Sequence, residues 1–141
     1  MSREPEAGNR KPEGSSHWEP AAHERLDVYK LAKELVVDVY RQTAHFPDSE
    51  LYGLTSQIRR AAVSIPANIA EGAARGSHRE LAHSVSIARG SVSELIVLID
   101  LASDLGYLEE LPKRSLRDKL RRIFAMASGV LRRPRAPRDK S

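Results

Sequence analysis

Apolar residues recur at the three- and four-residue spacing of an α-helix in four separate segments of this chain. The first segment, residues 24–45, carries a single stripe made of Val28, Leu31, Ala32, Leu35 and Val39. In the third segment the stripe runs for three heptads: Leu81, Val85, Ala88, Val92, Leu95, Ile99 and Ala102. No segment shows the alternation that is typical of a β-strand. The pattern predicts an all-α fold of four helices.

Helix-ending and helix-capping residues separate the four segments. Pro47 ends the first because proline disfavours helical geometry in the residue before it, and Asp48 or Ser49 then caps the second. Gly76 is suited to end the second helix, and Ser77 begins a capping box for the third. Short connections of this kind favour antiparallel neighbours, so we expect an antiparallel up-down-up-down four-helix bundle.

The second helix contains Pro66 in its interior. Proline has no N–H to donate to the carbonyl of Ala62, and its ring crowds that carbonyl, so a kink is expected here. Polar side chains lie along the same helix: Gln57, Arg59, Arg60, Ser64, Asn68 and Glu71. In a structural interpretation they satisfy backbone groups opened by the kink and pair Arg with Glu across helices. In a functional interpretation they line a ligand or nucleic-acid site.

The composition sets the domain boundaries. Residues 1–22 are polar and rich in Glu, Pro, Gly and Ser, with Trp18 as the exception, so they are expected to be a disordered tail. The bundle is expected over residues 23–133, followed by a basic disordered tail over residues 134–141. The chain has no cysteine, no apolar run of membrane-spanning length and no signal-peptide pattern. We therefore expect a cytoplasmic protein with no membrane association.

Positive charge is concentrated at the C-terminal end. Eleven Lys/Arg and two Asp lie between residues 113 and 141, a net of +9, whereas the whole chain carries +4. This asymmetry indicates either an anionic partner such as RNA or DNA or a solvated helix face with a basic tail. The candidate nucleic-acid-binding residues are Arg114, Arg117, Lys119, Arg121, Arg122, Arg132 and Arg133.

The third helix carries more apolar surface than one bundle core requires. Ile87, Leu98, Leu101 and Leu105 form a second stripe on it, and helices two and three are both rich in Ala, Ser and Gly. Small residues let helices approach closely. The pattern favours a homo-oligomer, and the alternative is a tight monomeric core in which Gly90 and Ser91 face helix two.

Enzymatic sites are absent at the level of motifs. Glu80 and His83 form one Glu-x-x-His pair, but a di-iron bundle needs a second pair and further glutamates. The segment from Gly72 to Gly76 lacks the spacing, the lysine and the preceding strand of a P-loop. Without cysteine there is no thiol nucleophile. We therefore expect a non-enzymatic protein with no catalytic residues, no bound metal and no cofactor.

One block of the sequence resembles a known bacterial family. The block runs from Glu50 to Gly72 and includes Ile58-Arg-Arg-Ala-Ala-Val-Ser-Ile-Pro-Ala-Asn-Ile-Ala-Glu-Gly72. It is similar to the four-helix-bundle proteins encoded within intervening sequences of 23S ribosomal RNA genes. The accessory variability determinant of diversity-generating retroelements is a relative of that family. The matching positions here are Gln57, Arg59, Arg60, Ser64, Pro66, Asn68, Glu71, Gly72 and Arg75.

The resemblance implies a four-helix bundle that forms a ring-like homo-oligomer, commonly a pentamer, with no known catalytic activity. For the retroelement relative it implies a basic surface that binds nucleic acid and a reverse transcriptase. Two functions therefore follow as hypotheses. One is a nucleic-acid-binding or ribonucleoprotein accessory module, and the other is a protein–protein adaptor, for example to a reverse transcriptase, without direct nucleic-acid binding.

Overall fold

A computed structural model describes residues 19–132 of the chain, and the side chains of residues 26–132. It contains four helices: α1 (Glu19–Thr43), α2 (Leu54–Arg75), α3 (His78–Asp104) and α4 (Glu110–Arg132), with a short 3₁₀ helix at Asp48–Glu50. Within residues 19–132 there is no strand. The all-α prediction is confirmed.

The four apolar stripes meet in a shared core. Each helix packs against the next along the chain, and α4 packs against α1, whereas the backbones of the two diagonal pairs do not approach each other closely within the described residues. The stripe predicted for α1, Val28 to Val39, is buried throughout, as are Leu95, Ile99, Leu120 and Ile123 from α3 and α4. The four-helix bundle is thereby confirmed, and the up-down-up-down order stays a prediction.

The first helix begins earlier than the sequence boundary at residue 22. Helix α1 starts at Glu19, so residues 19–22 lie in the helix and not in a tail. The physical reason is local, because Pro20 suits a first helical turn and Ala21 and Ala22 are strong helix formers. The rest of both expected tails, residues 1–18 with Trp18 and residues 134–141, lies outside the described residues, as does Arg133.

The second helix begins later than expected. Its first residue is Leu54 and not a residue next to Asp48, and Leu51 is left 48% exposed in the turn before it. The cap comes from Glu50, whose Oε1 accepts from the Leu54 N–H at 2.9 Å. Its Oε2 accepts from the Tyr107 hydroxyl at 3.0 Å, and this hydrogen bond raises the pKa of Tyr107. Glu50 therefore links the start of α2 to the α3–α4 connection.

Helix α2 continues through Pro66, whose side chain is buried, and the kink itself stays a prediction. The expected end of the helix is confirmed, because Gly76 has φ +83°, a conformation that favours glycine. The expected cap of α3 is also confirmed, since Ser77 Oγ accepts from the Glu80 N–H at 3.0 Å.

Helices α2 and α3 approach each other closely at Gly72, which is buried. A Cβ at this position would lie 2.7 Å from the Cβ of Ser84 and 3.2 Å from the Cα of Leu81. Only glycine leaves room for this approach without moving the neighbouring helix. Part of the small-residue pattern thus serves packing inside one chain.

Candidate nucleic-acid interface

Outside the face that enters the core, helix α4 carries mainly basic residues over its first half and Arg132 at its end. Its apolar residues Leu116, Leu120, Ile123, Ala127 and Val130 are buried. The remaining positions between residues 110 and 132 carry seven Lys/Arg and two acidic residues. The six predicted basic residues that the structure describes therefore lie outside the core, and their surroundings divide them into two groups.

Arg117 and Lys119 attach α4 to its neighbours. Arg117 Nη1 lies 2.8 Å from Oδ1 of Asp100 on α3. Lys119 Nζ is paired with Asp38 on α1. All four side chains are partly buried, with no more than 40% of their surface exposed. The two cations are thus engaged in contacts between helices.

The second group points away from the bundle, and we call its members the outward arginines: Arg114, Arg121, Arg122 and Arg132. Arg114 and Arg121 make ion pairs within α4, at 3.8 Å to Glu110 and 4.0 Å to Asp118, with all side chains more than 60% exposed. Exposed pairs of this kind contribute only about 0–1 kcal/mol. Arg122 and Arg132 have no ion pair within residues 19–132.

Arg59, from the polar block on α2, connects that helix to the end of α1. Its Nε donates to Thr43 Oγ1 at 2.8 Å, and Thr43 Oγ1 donates to the Val39 carbonyl at 2.8 Å. The guanidinium also lies over the Tyr40 ring, 4.4 Å from its centroid. Arg59 is therefore held in place on both sides, whereas Gln57 and Arg60 are exposed.

The rest of the block makes mainly structural contacts. Ser64 is hydrogen-bonded to Ser91 of α3, and Asn68 Nδ2 donates to the Ser64 carbonyl at 2.8 Å. Glu71 pairs with Arg75 at 2.9 Å, so the expected Arg–Glu pair lies within α2 and does not cross between helices. The reason is their i,i+4 spacing, which places both side chains on one exposed face.

The second apolar stripe of α3 is only partly covered. Leu98 is buried, but Ile87, Leu101 and Leu105 are 44–56% exposed. Ser91 faces α2 through its contact with Ser64, whereas Gly90 is exposed and has no atom within 4 Å of where a Cβ would stand. The outer side of α3 thus presents apolar surface that the described residues do not cover.

The described part of the chain holds neither a candidate metal site nor a candidate membrane span. Residues 19–132 contain no group of three or more His, Asp or Glu side chains that could hold a metal ion. None of the described helices is long and apolar enough to cross a membrane.

The family model of the 23S rRNA-intervening sequence proteins matches residues 24–129, which include most of the bundle and the whole α2 block. The chain belongs to this family. A comparison with curated proteins found no match.

A solved structure supports the fold of the family. A protein of unknown function from the S23 ribosomal protein family of Bacteroides thetaiotaomicron superposes with a TM-score of 0.71. The match covers 77% of this chain and 97% of that one at 18% identity, so it shows the fold alone. Of the outward arginines, Arg132 lies beyond the region that the family model matches.

A groove between α1 and α2 was missed by sequence reasoning. Its volume is about 490 Å³, and its lining residues are Tyr40, Leu51, Tyr52, Thr55, Ser56, Arg59, Arg60 and Val63. Leu51 continues the apolar spacing of α2, and this spacing predicts that Leu51 and Tyr52 belong to the helix. The turn that exposes both is signalled in the sequence only by Gly53.

Proposed function

We propose that this protein is a non-enzymatic nucleic-acid-binding module, a ribonucleoprotein accessory protein of the cytoplasm, that acts as a homo-oligomer. The observation that supports it best is the set of outward arginines, which present four guanidinium groups along one exposed side of α4. Membership of the 23S rRNA-intervening sequence family is consistent with this proposal and does not specify the role.

Binding is expected to occur through phosphates. An arginine fork makes two parallel hydrogen bonds to a phosphate, and it remains charged at any physiological pH. Arg114 and Arg121 exchange an exposed carboxylate for a phosphate at little cost, because their present pairs are long and solvated. Arg122 and Arg132 have no pair to break within the described chain. The helix face therefore favours the backbone of a nucleic acid over its base sequence.

The direct test is binding of the full chain to duplex and single-stranded RNA and DNA at about 50 mM salt, where phosphate contacts are strongest. We expect binding to all four forms with little dependence on sequence. Absence of binding to every form would contradict the proposal. A nuclease-treated pull-down is the control, because a partner protein retained without nucleic acid would favour the adaptor function instead, for example to a reverse transcriptase.

Self-association is part of the proposal and is supported by the outer side of α3. Ile87, Leu101 and Leu105 expose an apolar stripe there, and a Cβ at Gly90, in its middle, would meet no other helix among the described residues. Resemblance to the family adds the expectation of a pentamer. Mass measurement in solution by light scattering should give a multiple of the 15.7 kDa chain, five-fold for a pentamer. A monomer at every concentration would remove this part of the proposal.

A further inference from the structure

The groove between α1 and α2 combines aromatic and basic side chains and lies away from α4. Two tyrosines and two arginines line it together with Ser56 and Thr55, and no acidic residue does. Val63 also lines a second groove of about 360 Å³, together with Tyr29 and Lys33 among others. Tyr29 and Tyr40 are eleven residues apart on α1, which corresponds to about 16 Å along the helix.

Tyr52 is the most exposed large hydrophobic residue of the described chain, at 94%. Both faces of its ring are open to a planar partner, whereas Tyr40 is 42% exposed and carries the Arg59 guanidinium on one face. Exposed aromatic rings beside cations are the arrangement on which single-stranded nucleic acids stack their bases. Duplex bases are already stacked on each other and gain nothing from such rings.

The polar groups of the groove are suited to an anion with hydrogen-bonding capacity. Arg60 is exposed, and its contact to Ser56 Oγ is long, at 3.4 Å. The nearest acidic side chain along the chain, Glu50, is engaged by Leu54 and Tyr107. Beneath the groove, Thr55 is 3% exposed, and its hydroxyl has no hydrogen-bond partner in the described residues. A buried hydroxyl without a partner is uncommon, although this one is covered by protein atoms and lies below the surface that a groove ligand would contact.

We propose that this groove is a binding site for unpaired nucleotides, with a base stacked on Tyr52 and a phosphate held by Arg60. The ligand class follows from the proposed function, but the site is separate from the outward arginines. An apolar protein segment is a poorer match, because two arginines and no acidic residue line the groove.

The test uses the full chain and fluorescence anisotropy with a labelled single-stranded RNA of about eight nucleotides, against a duplex of the same sequence. Tyr52→Ala should weaken single-strand binding by about fivefold or more, since base stacking on an aromatic contributes about 1–3 kcal/mol. Duplex binding should change less than about twofold. Tyr52→Phe keeps the ring and should bind single strands as the parent does. Arg60→Ala should also weaken single-strand binding selectively.

Leu111→Ala is the matched control, because Leu111 is also highly exposed, at 72%, and lies outside the groove. Equal losses on single strand and duplex, or no loss for Tyr52→Ala, would overturn the proposal. A change in the mass of the protein in Tyr52→Ala would also overturn it, by identifying the groove as an interface between copies.

Two outcomes separate the sources of the ligand and the two sites. If AMP binds as tightly as the RNA strand and its binding needs Tyr52, the ligand of the groove is a free nucleotide. If the strand binds more tightly than AMP, the ligand is single-stranded RNA. Both of these results support the site. If neither AMP nor the RNA strand binds, the proposal is overturned. If removal of the outward arginines changes nothing while Tyr52→Ala abolishes single-strand binding, the α4 proposal fails and the groove stands.

Discussion

Removal of the outward arginines by replacing all four with alanine is expected to weaken duplex binding by about a hundredfold or more at 50 mM salt. The reason is that each lost contact is a charge-assisted hydrogen bond that contributes about 1 kcal/mol or more. The fold should survive, because none of the four makes a contact between helices within the described residues. Circular dichroism and filter binding of the same preparation measure both properties.

The control for this variant removes the same charge elsewhere. Lys30, Arg41, Arg75 and Arg79 are exposed and lie on the other three helices. Their joint replacement by alanine changes the net charge equally, and we expect it to weaken binding by less than about threefold, as a long-range effect only. Equal losses in the two variants would show that net charge and not the α4 face determines binding.

Gly72→Ala is expected to lower the free energy of unfolding by about 1–2 kcal/mol. The added methyl group would stand 2.7 Å from the Cβ of Ser84, so α2 and α3 must separate. This overpacking cost exceeds the gain of about 1 kcal/mol that alanine brings to a helix interior. Thermal denaturation should show a melting temperature lower by about 4–10 °C.

Two variants give this prediction a matched control. Gly90→Ala makes the same substitution where nothing lies within 4 Å, and it should raise stability by about 0.5–1 kcal/mol. Combining Gly72→Ala with Ser84→Gly should cost about 1 kcal/mol less than the sum of the single changes, because the clash is gone. If Gly72→Ala stabilises the protein as Gly90→Ala does, the close approach of α2 and α3 is refuted.

The helices were predictable because the spacing of their apolar residues shows directly which positions face the core. The heptads of α3 and the Gly76–Ser77 break were read correctly, since spacing and capping are local properties of the chain. Two helix starts differ from the prediction, Glu19 of α1 and Leu54 of α2. At both places the local residue preferences allow more than one boundary. The start of α2 at Leu54 is determined by Gly53 and by the side chain of Glu50, which accepts from the Leu54 N–H. The spacing of apolar residues contains no information about either of them.

The division of the basic residues on α4 was not predictable from spacing. Arg117 and Lys119 look like their neighbours in sequence, but Asp100 and Asp38 lie 17 and 81 residues away from them and become partners only in the fold. The same holds for Arg59, which contacts Thr43 across 16 residues. The sequence thus identifies a basic helix, and the tertiary neighbours decide which of its charges remain available to a partner.

The central claim is that the protein binds nucleic acid through phosphate contacts of α4, and the salt dependence of duplex binding tests it most directly. The logarithm of the association constant is measured against the logarithm of the salt concentration between about 50 and 300 mM. Four phosphate contacts predict a linear fall with a slope of about −3.6 or steeper. A slope near zero, or no binding at the lowest salt, would contradict the account.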